Sequence, residues 1–321
     1  MSSDSVRYRD RSVAVLVLGV VMSLVAILPF SAQVGAQDAT PVAEAVGLDL
    51  QEVVVTAQES VLSISVAPPV LEGWTLFTLV NESEEVAGIN LALLPEEQSV
   101  GDLTTVISDA FTGEGGELPE WWSEATFGGG AYAAAGETSQ GVVYLTPGQW
   151  AVFSSNPAAV QPPQTINVAS PEEAAENYGI EPEATPLAAT PIDATPVVEG
   201  LDADNEIAIR DGEFDIASDP ESGPQLWQIM NDSEQVADLI LFSTDEELDE
   251  AAAAELGTAF ASGETVEGAT LVGGIGALST GGTAYLPVDL ESGNYVIVST
   301  QPDAEGGIQA ENGLVTSFVV E

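Results

Sequence analysis

The chain has 321 residues, 52 of them acidic, against four arginines, and it contains no lysine, histidine or cysteine. A formal net charge of −48 repels nucleic acid phosphates and anionic lipid surfaces, so neither is expected as a partner. The missing side chains remove whole reaction classes: Ser-His-Asp and Cys-His nucleophilic sites, tetrahedral zinc of the N/S kind, and lysine-dependent chemistry, including Walker-type phosphate loops.

The acidity does not mark disorder, because hydrophobic residues make up 45% of the chain and supply apolar surface for a core. Arg7, Arg9 and Arg11 fall close to the N-terminus, which leaves Arg210 as the one basic side chain beyond them. Most carboxylates therefore have no cationic partner. Such a surface suits high salt, where repulsion is screened, or low pH, where carboxylates neutralise. Without cysteine there are no disulfides, and the compartment has to be read from the N-terminus.

There the three arginines precede an uncharged apolar run, Val13–Phe30, and the small residues Val34 and Ala36 offer a signal peptidase cut before Gln37. Residues 1–36 are expected to be a signal peptide. An uncleaved anchor is the alternative, since the run is near the minimum length of a membrane span. Either way the arginines hold the N-terminus in the cytoplasm, and the acidic chain ends up secreted or at the cell surface.

DATPVA at Asp38–Ala43 recurs as DATPVV at Asp193–Val198, where it closes the run EATPLAATPIDATPVVEG. Regularly spaced proline removes donors and favours extended backbone, so residues 37–46 and 169–200 are expected to be Pro/Thr/Ala-rich linkers. The segments after these linkers also match. GWTLFTLVNESEEVAGINL (Gly73–Leu91) aligns with GPQLWQIMNDSEQVADLIL (Gly223–Leu241) at an offset of 150. Further on the offset is 145, pairing Gly129 with Gly274, Thr138 with Thr283, Trp150 with Tyr295 and Ser154 with Ser299. The chain thus holds two diverged copies of one domain, expected over residues 47–168 and 201–321.

Within each copy the pattern is mainly β. LFTLVN and LWQIMN read as buried strands ending at an Asn-Glu/Asp-Ser turn, and INLALL and LILFS as the strands paired with them. A helix follows in each. SVGDLTTVISDAF places Val100, Leu103, Val106, Ile107 and Ala110 on one face, and DEELDEAAAAELGTAF is alanine-rich with acids near its start. The Gly-rich stretches FGGGAYAAAG and VGGIGALSTGG then precede YLTPGQWAVFSS and VDLESGNYVIVST, each a turn leading into a strand, and TINV and TSFVV close the copies. Many short strands with turn punctuation indicate an all-β sandwich with one inserted short helix per copy.

These residues resemble the cupredoxins, a Greek-key β-sandwich family that includes the blue-copper proteins. The resemblance rests on the strand ending in Val-Asn or Met-Asn before a polar turn, on the intervening helix, and on the late Pro-Gly-x-aromatic strand. It implies two tandem Greek-key domains. In copper-bearing members it also implies a His soon after the Asn turn and a Cys four residues after the aromatic, followed by a second His and usually a Met. Here the turn continues Glu85–Val86–Ala87–Gly88 in one copy and Gln235–Val236–Ala237–Asp238 in the other, and the Cys position is Ser154 or Ser299. Two imidazoles and a thiolate cannot be assembled from this inventory, so no blue-copper centre and no other cofactor is expected.

Two features carry candidate chemistry. DADNE (Asp202–Glu206), DGEFD (Asp211–Asp215) and SDPESG (Ser218–Gly223) gather oxygen ligands that make calcium a candidate, although none follows EF-hand order and a solvated acidic loop is the plain alternative. Trp121–Trp122, in ELPEWWSEATFGGG, can either cover the open end of the sandwich or contact a glycan or protein partner. Copy two has Val266–Thr270 (VEGAT) at that place. The function expected is an exported, non-catalytic interaction or structural module at the cell surface, with an unidentified protein or glycan partner. Two domains on a linker would bind such a partner bivalently. The alternative is an extracellular enzyme working through a carboxylate pair, of the glycoside hydrolase type, with or without calcium.

Overall fold

The computed structural model of the protein describes residues 42–111, 119–155, 162–180, 200–303 and 307–321. The expected signal segment, residues 1–36, and the Ala-Thr-Pro repeats within 181–199 lie outside the described residues. A short helix α1 (Val42–Ala45) precedes copy one. That copy comprises β1 (Gln51–Gln58), β2 (Val61–Val66), β3 (Val70–Leu71), β4 (Gly73–Asn81), β5 (Ala87–Leu93), helix α2 (Val100–Phe111), β6 (Thr126–Ala133), β7 (Thr138–Leu145), β8 (Gly148–Ser154) and β9 (Gln164–Ala169), with helix α3 (Pro171–Tyr178) after it. Copy two comprises β10 (Asn205–Arg210), β11 (Glu213–Ile216), β12 (Gly223–Asn231), β13 (Ala237–Thr244), helix α4 (Glu250–Ala261), β14 (Ala269–Leu278), β15 (Thr283–Leu290), β16 (Gly293–Val298) and β17 (Val315–Val320).

The copies share one topology. In copy one a sheet of order β2-β1-β4-β7 faces a sheet of order β6-β5-β8-β9, and in copy two β11-β10-β12-β15 faces β14-β13-β16-β17. β1 runs parallel to β4, as β10 does to β12, and the other pairs within these four-strand sets are antiparallel. This is the expected Greek-key sandwich, and α2 and α4 are the two inserted helices, each 12 residues long. Asp249 caps α4, its side chain accepting the Ala252 amide at 2.9 Å.

One expectation within the copies fails. β4 and β5 are not paired with each other, nor are β12 and β13: each pair is divided between the two facing sheets. Each of these strands has runs of consecutive buried positions on both faces, so their sequences carry too little alternation to separate a hairpin from a crossover between layers.

The copies also meet strand to strand. β6 pairs with β14 antiparallel (Leu278 opposite Gly128), and β7 pairs with β15 antiparallel (Ala284 opposite Val143). Eight strands thereby form one sheet and nine the other, each continuous through both copies. Because β6 and β14 are equivalent strands, as are β7 and β15, their antiparallel meeting relates the copies by a local two-fold axis, the geometry of an isologous dimer inside one chain. A single buried cluster accordingly includes Phe77, Leu91 and Trp150 of copy one with Trp227, Ile229 and Leu241 of copy two. Glycine permits the close approach at this seam: a Cβ on Gly276 of copy two would lie 2.7 Å from the Ile89 carbonyl oxygen of copy one, and within copy one a Cβ on Gly141 would lie 2.3 Å from the Gly130 carbonyl oxygen.

The described parts of the expected linkers are structured. Ala43 of α1 is buried with Leu76 and Val142 of copy one and Leu226 and Tyr285 of copy two, so it packs across the seam. Its amide donates to Gln140 Oε1 at 2.9 Å. At the other linker β9 extends to Ala169, and Ser170 and Glu173 form a reciprocal capping box that starts α3, which ends at Gly179 in the left-handed region (φ 66°). Proline near these helices masked the local signal. Pro171 sits at the first helical position, where its missing N–H costs nothing.

Candidate functional site

The Asn that ends β4 and β12 folds back into its own turn. Asn231 Oδ1 accepts the Ser233 amide at 3.1 Å and hydroxyl at 2.7 Å, and its Nδ2 donates to the carbonyls of Gln235 (2.8 Å) and Leu278 (2.7 Å). Asn81 makes the same bonds to Ser83 and Glu85, and to Ala133 across the sheet. A buried Asn satisfied in this way fixes the turn that carries the chain from one sheet to the other.

Two residues past the copy-two turn stands Asp238, fully buried. Its Oδ1 accepts Ser299 Oγ at 2.8 Å and the Thr300 amide at 2.7 Å. Its Oδ2 accepts Thr300 Oγ1 at 2.7 Å, Gln301 Nε2 at 3.1 Å and the Tyr132 hydroxyl at 3.1 Å. Ser299 Oγ also lies 2.9 Å from Gln309 Oε1, so one hydroxyl proton faces two acceptors. Donors rather than a cation hold this carboxylate. Arg210 pairs with Asp215 at the surface instead.

Tyr132 is the link to copy one. Its ring packs edge-on to Phe260 of α4, and its hydroxyl reaches Asp238. Burial, and then the neighbouring Asp238 carboxylate, push its phenol well above the ordinary tyrosine value. In copy one the position equivalent to Asp238 is Gly88. A Cβ there would lie 2.1 Å from Ser155 Oγ and 2.5 Å from the Tyr132 ring. The one aromatic side chain thus fills the space beside Gly88 and satisfies the acid of the other copy.

The positions that the resemblance marks therefore meet in space in both copies: Asp238 with Ser299, and Gly88 with the Ser154–Ser155 pair through the Ser155 amide to the Gly88 carbonyl (3.0 Å). The late aromatics correspond as well. Trp150 Nε1 donates to the Thr146 carbonyl at 2.9 Å, and the Tyr295 hydroxyl donates to the Glu291 carbonyl at 2.8 Å, each four residues back at the same turn. In fold, both copies are cupredoxin-like. A type 1 copper ion does not fit the residues present. Carboxylate, hydroxyl and amide groups already bonded to one another replace the soft thiolate and imidazoles.

No protein-family model and no curated protein matches the sequence. Among solved structures, similar chains include auracyanin from Roseiflexus castenholzii (18% identity, 36% of this chain and 94% of that one, TM-score 0.28). Auracyanin A, a blue copper protein from Chloroflexus aurantiacus, gives 16% identity over 36% of this chain and 99% of that one, with TM-score 0.26. The copper nitrite reductase of Nitrosomonas europaea gives 12% identity over 84% of this chain and 93% of that one, with TM-score 0.21. The copper in those names belongs to those proteins, and at such scores the likeness assigns nothing to this chain.

The remaining candidates lie elsewhere on the cupredoxin-like frame. Trp121 and Trp122 sit on a 3-10 turn, Glu120–Glu124, at a centroid separation of 5.8 Å. Both are half-buried. Trp122 packs on Phe127 at 5.0 Å, and the pair adjoins a cluster that contains Leu103 and Ala151. They cover the sheet beside α2. Of the expected helical face, Leu103 is buried and Val100 and Val106 are half-buried, whereas the side chains of Ile107 and Ala110 lie outside the described residues.

The three acidic runs frame β10 and β11. Asp204 accepts the Leu226 amide, Asp211 accepts the Glu234 amide, and Asp215 takes Arg210. Among the described residues no three carboxylates gather closely enough to hold a metal ion. Among them, too, no helix is long and apolar enough to cross a membrane. Asp238 was missed in the sequence, although a lone acid inside the apolar run ADLILFS was the available signal.

Proposed function

We propose that the chain is an exported, non-catalytic interaction module of the cell surface, built from two copper-free cupredoxin-like repeats. The observation that carries this reading is the closure of the marked site. Asp238, the one acid at that site, is fully buried and accepts five donors, one of them from the other copy, and an acid so enclosed cannot take a proton from an external substrate. The apolar run after Arg7, Arg9 and Arg11 supports export. Continuous sheets change how the module would present itself. The copies offer one rigid surface, so bivalence through a flexible linker between them is not part of the reading.

The test couples capture to catalysis. Purified protein immobilised on resin is expected to retain a discrete protein or glycan from cell-surface extract, and to release no reducing sugar from a panel of polysaccharides. Turnover of any of these would overturn the non-catalytic role, and failure to retain any component would overturn the interaction role.

A further inference from the structure

The two copies differ where Trp121 and Trp122 stand. At the offset of 145 their equivalents in copy two are Val266 and Glu267, and these two residues line an open groove of about 510 Å³ between α4 and the sheet. Its apolar floor is formed by Leu248, Leu256, Ala259, Val266 and Ala269. Asp245, Glu246, Glu255 and Glu267 stand on its rim, all exposed. In copy one the corresponding ground beside α2 is covered by the two indoles, packed on Phe127 and the Leu103 cluster. Copy two keeps the helix, the strand and the apolar floor, and lacks the cover.

We propose that this groove is a docking site for a partner peptide that presents an aromatic side chain flanked by lysine or arginine. The inference rests on the interaction role proposed above and names its surface. Copy one shows what such a floor accommodates, namely indole rings supplied from a short turn. The rim supplies the charge preference. The chain has no lysine or histidine, and Arg210, the one cation among the described residues, is engaged with Asp215 rather than with these four carboxylates. A volume of about 300–1,000 Å³ is ordinary for a ligand site, and α4, at about 18 Å, is long enough to seat a few residues of extended peptide.

The probe is the copy-one turn itself with its glutamates changed to lysine, Leu-Pro-Lys-Trp-Trp-Ser-Lys, titrated into the purified protein by isothermal calorimetry. Binding is expected to be at least about tenfold tighter than that of Leu-Pro-Lys-Ala-Ala-Ser-Lys or of Leu-Pro-Glu-Trp-Trp-Ser-Glu. It is also expected to weaken as salt rises from about 50 mM to about 500 mM. Val266→Trp with Glu267→Trp, which installs the copy-one cover, should abolish it. Glu255→Gln with Glu267→Gln, confined to exposed rim positions, should weaken it by about tenfold even if the doubly substituted Trp variant fails to fold. Equal binding of the Trp and Ala peptides, or unchanged binding by the rim variant, would overturn the proposal. A cell-surface component captured equally by wild type and by both variants would overturn the groove and leave the interaction role standing.

Discussion

Asp238 and Tyr132 are the residues on which the two copies depend most directly. Replacing Asp238 by Ala removes the acceptor of the Thr300 amide and of three side-chain donors inside a closed space, as well as the partner of Tyr132. The cost expected is about 3 kcal/mol, because buried donors left without an acceptor are more costly than a lost bond alone. For a body of this size that is a fall of roughly 5 °C in melting temperature, readable by circular dichroism. Tyr132→Phe removes the bond to Asp238 but leaves that carboxylate its other donors, and should cost less, about 1–2 kcal/mol. The raised phenol also sets a pH dependence. An unfolded tyrosine ionises near pH 10, whereas Tyr132 in the folded protein stays neutral to higher pH. Its contribution to stability is therefore complete below about pH 10 and is lost as the pH rises from there through the folded value. Burial raises Tyr144, Tyr285 and Tyr295 in the same direction, more weakly. Melting temperature is expected to fall steeply above about pH 10, with a shallower slope in Tyr132→Phe; identical slopes would remove this role.

At the scale of elements, the helix and turn beside each sheet separate shared fold from divergent surface. Asp249→Ala should cost about 1 kcal/mol by leaving the Ala252 amide without its cap, with no effect on copy-one contacts. Trp122→Ala should cost about 2 kcal/mol, less than a fully buried Trp, because the indole is half-exposed yet packs on Phe127 at 5.0 Å. Thermal melts of the single variants check both values. The alignment of the copies was readable from residues because its register survives in detail: α2 and α4 have equal length, and Trp150 and Tyr295 are tethered to equivalent turns. Which strands pair was not readable. β4 and β5 are buried on both faces, and periodicity cannot tell two layers from a hairpin. The acidic runs are ambiguous in sequence for a related reason. In a chain with 52 acids, Asp204 and Asp211 look like free ligands until their backbone amides are located.

Across the whole molecule, duplication produced one body with a local two-fold axis. β6 and β14 read in sequence only as Gly-rich stretches. Their glycines are where the seam brings backbones together, and nothing in FGGGAYAAAG or VGGIGALSTGG distinguishes a strand paired across copies from one facing solvent. Joining β6 to β14 and β7 to β15 also covers four strand edges that separate sandwiches would expose. The central claim is that the copies are one cooperative unit, sealed where the marked residues meet. Differential scanning calorimetry tests it most directly. One transition is expected, with a calorimetric to van't Hoff enthalpy ratio near one, moving as a whole to lower temperature in Asp238→Ala. Two resolved transitions in the wild type, one per copy, would contradict it.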